Sequence, residues 1–155
     1  NRDGNTQWEI LNTVAYGESY FQNNTSGTTI NTVNVWESGN YSFIEGDVLG
    51  FSGGTTTMTL LNGYDGDYEI IGDVTVEYVA GTNNYEVGLS INGNDPQAGT
   101  YQGCLVDATY TRQHIGFATI QTLSGGTTLS LDVRNITNND NVILTHGHIF
   151  TRRLL

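Results

Sequence analysis

Residues Ile115–Leu155 read IGFATIQTLSGGTTLSLDVRNITNNDNVILTHGHIFTRRLL. Three apolar runs, IGFATIQTL, TTLSLDVRN and NVILTHGHIFTRRLL, are separated by two short breaks, SGG and ITNND. Each run has the length of a strand, and each break has the Gly, Asn and Thr chemistry of a turn. In the middle run Leu129, Leu131 and Val133 alternate with Ser130, Asp132 and Arg134. That period of two predicts a strand with one buried and one wet face. The last run differs: Val142, Leu144 and Phe150 fall on one parity, Ile143 and Ile149 on the other. A strand that is apolar on both faces is either central in a sheet or covered by another subunit.

The same reading extends toward the N-terminus. Val74, Val76, Tyr78 and Ala80 alternate with polar residues, GTNN follows, and Tyr85, Val87, Leu89 and Ile91 alternate again. This pattern predicts a hairpin across residues 64–96. Pro96, the only proline, lies in the turn that ends it, where a missing N–H does no harm. Further strands are expected at INTVNVW (30–36), at YSFI (41–44), at TTTMTLL with Met58 and Leu60 on one face, and through Leu105, Asp107 and Tyr110. The count is eight to ten strands at a spacing of roughly a dozen residues, with no helical period and no fixed repeat. The expectation is an all-β protein: an antiparallel β-sandwich of the jelly-roll type, one domain over residues 21–155. Residues 1–20 form an arm or a first strand, with Trp8, Ile10 and Leu11 as apolar anchors onto the body or a neighbour. Starting at Asn1 rather than Met, the chain is read as processed or partial.

Composition fits that architecture and excludes several partners. Charged residues are only 14% of the chain, and polarity comes from 22 Thr, 17 Asn and 20 Gly. Thr suits exposed strand faces, while Asn and Gly supply turns. The net charge is −11, and there is no Lys. Nucleic acid and anionic membrane are therefore excluded as partners, since both need a basic surface. No run approaches the ~20 apolar residues of a membrane span. Cys104 is single, so no internal disulfide framework exists, and its apolar context reads as core.

Signatures of catalysis are missing. There is no G-x-S-x-G, no phosphate-binding glycine loop, no H-E-x-x-H and no paired-cysteine motif. The chain reads as non-enzymatic, with a small carbohydrate-active enzyme using two carboxylates as the remaining catalytic alternative. His146 and His148, at i and i+2, share one strand face and could hold a divalent metal, or they are polar groups at an interface. No other cofactor is expected. Asp65, Asp67 and Glu69 alternate and could bind Ca²⁺, or they form a solvated acidic turn. Tyr64, Tyr68 and Tyr101 near expected loops are candidates for ligand binding, sugar faces included, or for packing loops onto the body.

The segments VTVEYVAGTNNYEVGLSINGND (74–95) and IGFATIQTLSGGTTLSLDVRNITNNDNVILTHGHIFTRRL (115–154) resemble the trimeric jelly roll of the tumour necrosis factor and complement-component superfamily. They resemble most the versions carried by bacteriophages and other viruses, in which a strand ending in SINGN leads into a long loop and SGGTTLSLDVRN forms a hairpin. The likeness covers residues 67–155 well and residues 8–66 loosely. It implies a homotrimer around a threefold axis, with His146, His148, Ile149, Phe150, Phe117 and Tyr110 at the contact. It also implies a virion-surface role: decorating or cementing a capsid, with the major capsid protein as partner, or forming the head of a fibre on its shaft that recognises a host surface glycan. Some trimeric phage fibres hold metal through a His-x-His pair, which the pair here resembles.

Overall fold

A computed structural model describes residues 14–154. The strands are β1 (Tyr16–Phe21), β2 (Gly27–Thr28), β3 (Glu37–Ser38), β4 (Ile44–Leu49), β5 (Phe51–Gly53), β6 (Met58–Leu60), β7 (Gly66–Glu77), β8 (Asn83–Ile91), β9 (Tyr101–Val106), β10 (Arg112–Leu123), β11 (Thr128–Asn135) and β12 (Val142–Arg153). Eight of them have six residues or more, and no described residue is helical. They form two antiparallel sheets. Sheet I has the order β10-β7-β12-β1-β4, with β2 beside β12, and sheet II the order β5-β6-β11-β8-β9, with β3 beside β11. Their inner faces meet in one core that includes Tyr68, Ile70, Val74, Val76, Tyr85, Val87, Leu89, Leu129, Leu131, Val133, Leu144 and Ile149.

Val74, Val76, Tyr85, Val87 and Leu89 are buried as the alternation predicts, whereas Tyr78 and Ile91 are half-buried and Ala80, beyond the end of β7, is exposed; the partners differ too. β7 and β8 are not a hairpin: β7 pairs with β10 and β12, and β8 with β9 and β11. The SGG break likewise joins sheet I to sheet II, and the ITNND break returns the chain to sheet I. An alternating strand buries the same side chains whether its successor lies beside it or faces it across the ~10 Å between packed sheets. Sequence alternation therefore fixes the inward face and leaves the neighbour open. Two true hairpins are both in sheet II: the short β5–β6, and β8–β9, which spans the loop Asn92–Thr100 that contains the buried Pro96.

The strand expected at 30–36 is a loop. Asn34 has φ +64°, and its N–H donates to the Asn135 carbonyl at 2.8 Å, while Val35 N–H closes a turn on Thr32. Ile30 is buried, whereas Val33 and Val35 are exposed. The strand expected through Asp107 and Tyr110 ends at Val106, where the Asp107 carboxylate accepts the N–H groups of Thr109 and Tyr110 in a turn. Between β6 and β3 the edge of β11 lacks a strand partner at Leu131. The Tyr41 hydroxyl fills that gap: it donates to the Leu131 carbonyl at 3.1 Å and accepts the Leu131 N–H at 2.7 Å. Its ring is buried, stacked 4.5 Å from Phe21.

β12 is central in sheet I, between β7 and β1. Its mixed parity has a local cause. Leu144 pairs with Val76 and His146 with Thr75, so Thr145 is an extra residue, a β-bulge. Before it Val142 and Leu144 point inward, and after it Gly147, Ile149 and Thr151 do. Asn24 secures the bulge: its backbone N–H donates to the Thr145 carbonyl at 3.0 Å and its side-chain amide to the Leu144 carbonyl at 2.8 Å. Gly147 faces the Phe21 ring so closely that a Cβ would sit 2.4 Å from it.

Candidate functional site

The outer face of sheet I is built in rows by the register. Ala118, Ile71, Phe150 and Glu18 form one row, and Gly116, Asp73, His148 and Tyr20 the next. Ile120, Glu69, Arg152 and Tyr16 lie on one side of these rows, and His114, Thr75 and His146 on the other. No side chain of these rows is buried: Ile71 is 39% exposed, Ile120 64% and Tyr16 38%. Charges on the face pair across strands. Arg152 Nε donates to Glu69 at 2.5 Å, and Arg112 Nη2 lies 2.8 Å from Glu77. His148 sits between two carboxylates, with Nε2 3.0 Å from Glu18 and Nδ1 3.5 Å from Asp73. Cross-strand pairing gives Glu69 and Glu77 an arginine each and leaves the apolar members of the face free to be covered.

The outer face of sheet II is arranged differently. Here the chain's own loops cover outward-pointing residues. Ser90 is 0% exposed and Asp132 6%, although both point away from the core. Pro96 and Tyr101 pack over Gly88. The Arg134 guanidinium lies 4.5 Å from the centre of the Trp36 ring and 5.4 Å from that of Tyr101, and it pairs with Glu86 at 2.6 Å. Burial pushes the Asp132 carboxyl up to about 6, with the charge of Asp95 adding to the rise and neighbouring serine hydroxyls opposing it.

The sequence matches no family model and no curated protein. The fold does find counterparts. The structure of murine APRIL at pH 5.0 superposes with a TM-score of 0.55 at 12% identity, over 90% of this chain and 98% of that one. The PRD1 vertex protein P5 superposes with a TM-score of 0.57 at 15% identity, over 91% of this chain and 73% of that one. The fold is a tumour necrosis factor-like jelly roll. At these identities the likeness is one of fold.

On this jelly roll the residues singled out by sequence separate. His146, His148 and Phe150 share the outer face of sheet I, turned outward by the bulge at Thr145, which puts them opposite in direction to Val142 and Leu144. Ile149 and Phe117 do not: at 0% and 7% exposure they lie in the chain's own core, so the contact expected of them is corrected. The physical reason is parity. Ile149 alternates with the two outward neighbours His148 and Phe150, and the Phe117 ring covers Gly72 on the inner side of β7. Tyr110 is 57% exposed in the turn between β9 and β10. Trp8, Ile10 and Leu11 lie outside the described residues, and the end of that expected arm or first strand, Tyr16–Phe21, is β1 itself.

The two histidines share a face but not a task. His146 lines a cleft of about 210 Å³ with Asn23, Asn24, Glu77, Arg112 and Ile143, while His148 is held by Glu18 and Asp73. Among the described residues no group of three or more His, Cys, Asp or Glu side chains converges as a metal would need. The acidic run disperses as well. Asp65 accepts the Gly125 N–H at 2.6 Å, Asp67 accepts the Thr122 hydroxyl at 2.6 Å, and Glu69 pairs with Arg152.

The expected ligand tyrosines separate in the same way. Tyr68 is 0% exposed, its ring edge-on to Phe51 and its hydroxyl donating to the Tyr64 carbonyl at 2.6 Å, so it is a core residue. Tyr64 packs on Gly50 and is partly exposed. Tyr101 meets Trp36 at 5.5 Å. Sequence reasoning found Tyr101 but missed Trp36, Arg134 and Asp132 around it, because a loop more than sixty residues earlier supplies Trp36 and the paired strands of sheet II supply the other two. Cys104 is half-buried at the core margin, and burial pushes its thiol up to about 11.

Proposed function

We propose that this chain is a non-enzymatic structural protein of a virion surface, a homotrimer that decorates or cements a capsid, assembled through the outer face of sheet I. One observation carries the reading: that face combines Ile71, Ala118, Ile120, Phe150 and Tyr20 with the ion pairs Arg152–Glu69 and Arg112–Glu77, and no loop among the described residues covers it. Exposed apolar surface on one sheet face, rimmed by polar groups, is the composition of an assembly contact. The resemblance to trimeric viral jelly rolls and the likeness of fold to the PRD1 vertex protein P5 support the same reading.

The second reading, a fibre head that binds a host surface glycan, is favoured by the half-exposed Trp36–Tyr101 pair on the opposite face. Light scattering on a sizing column tests the shared premise: the expected mass is three times the 16.9 kDa chain, and a monomer at micromolar concentration overturns it. Counting copies on purified particles separates the two roles, since decoration requires many copies and a fibre head few. Deleting residues 1–13, with Trp8, Ile10 and Leu11, is expected to abolish binding to the particle while leaving the trimer intact.

A further inference from the structure

Asp132 occupies an unusual place for a carboxylate. It lies on the outer face of sheet II, is 6% exposed, and its Oδ1 has no hydrogen-bond partner. Three serines surround it: Ser38 from β3, Ser90 from β8 and Ser130 from its own strand. The charged groups nearby give it no cation. Arg134, two residues along the same face, is engaged by Glu86, and Glu37 of β3 accepts hydrogen bonds from Asn31. Asp95, on the loop Asn92–Thr100, adds a like charge. Tyr101 of β9 closes the far side of Gly88, the residue paired with Asp132.

The loop is tied down through one of these serines. The Ser90 hydroxyl donates to the Asn94 carbonyl at 2.9 Å. A hydroxyl has one proton and two lone pairs. With its proton given to Asn94, Ser90 offers Asp132 only lone pairs. Those pair with a protonated carboxyl, which donates, and repel an ionised one, which can only accept. Closing the loop and ionising Asp132 therefore compete for the same hydroxyl proton, and the charge of Asp95 opposes ionisation further. Burial, which already holds the carboxyl near 6, places the competition in the mildly acidic range.

We propose that Asp132 is a proton-operated latch for the loop Asn92–Thr100: protonated, it completes a chain from its own O–H through Ser90 to the Asn94 carbonyl and holds the loop shut; ionised, it draws the Ser90 proton away and frees the loop. The loop walls a cavity of about 340 Å³ lined by Leu89, Ile91, Asn94, Gln97 and Gln121 among others, so the latch governs entry to that cavity.

The test is hydrogen exchange of the Leu89, Asn94 and Thr100 amides, corrected for intrinsic exchange, on the whole protein at pH 5.0 and pH 7.5. These N–H groups donate to Thr100, Ile91 and Gln97 and report loop closure. In the wild type their protection is expected to fall about fivefold on going to pH 7.5, the equivalent of one hydrogen bond. Asp132→Asn, whose amide donates at any pH, is expected to stay protected at both values, and Ser90→Ala to be poorly protected at both. Equal wild-type protection at the two pH values overturns the latch, as does an unchanged pH dependence in either variant. Should Asp132→Asn fail to fold, the wild-type and Ser90→Ala comparisons decide alone.

Discussion

The two outer faces of this sandwich are made from the same alternating strands, yet they end differently. On sheet II the loops around Trp36 and Pro96 fold back over the sheet, bury Ser90 and Asp132, and shelter the Arg134–Glu86 pair to 19% exposure on each side chain. On sheet I the charges pair along the surface and, among the described residues, no loop returns, so Ile71, Ile120 and Tyr16 stay exposed there. A face sealed by its own chain has its partner already. A bare face with apolar rows is the one that gains from a second copy.

The largest expected effect breaks the contrast at its bare side. Phe150→Asp places a charge in the middle of the row Ala118–Ile71–Phe150 and is expected to weaken self-association at least a hundredfold, about 3 kcal/mol. Leu105→Asp, on the outer face of sheet II, should leave the mass unchanged; sedimentation at micromolar concentration reads both. Next is the sealed side, where Tyr41→Phe leaves the Leu131 N–H and C=O with less than their full bonding at the gap between β6 and β3. The expected loss is about 2 kcal/mol in urea unfolding with an unchanged m-value.

Asp132→Asn sharpens the comparison through pH. The folded carboxyl is raised above its unfolded value of 3.8 to about 6, so its stabilising contribution is complete below 3.8 and lost as pH rises through 6. The wild type is thus expected to lose about 2 kcal/mol from this group between pH 4 and 7.5. Asn should remove that part of the pH dependence, as followed by thermal unfolding across the range. The smallest effect belongs to Arg112→Ala. Its ion pair with Glu77 is 60% exposed on the arginine side, and less than about 0.5 kcal/mol of stability should change.

Much of the fold was legible in the alternation itself. The inward residues of β7, β8 and β11 were read correctly from period two alone. Pairing was not legible, and three breaks read as hairpins or simple turns proved to be crossings between sheets. The candidate site was half legible. His146, His148 and Phe150 announced themselves by spacing, but Ile149 was misplaced because a single extra residue, Thr145, changes which parity faces inward after it, and Phe117 because its ring turns inward over Gly72 of the neighbouring strand. Nothing local marks that bulge, whose carbonyls are satisfied by Asn24, more than a hundred residues earlier in the chain.

By itself the sequence determined an all-β chain of alternating strands, punctuated by Gly and Asn, acidic and without the motifs of catalysis. Those features depend on side-chain type and spacing along one strand, which the chain carries wherever the strand lies. Tertiary structure decided which strands are neighbours, which outer face the loops cover, and which carboxylate is stranded beneath them. Each of these depends on segments distant in sequence competing for the same edge or face, and that competition is settled only when the two sheets close on their common core.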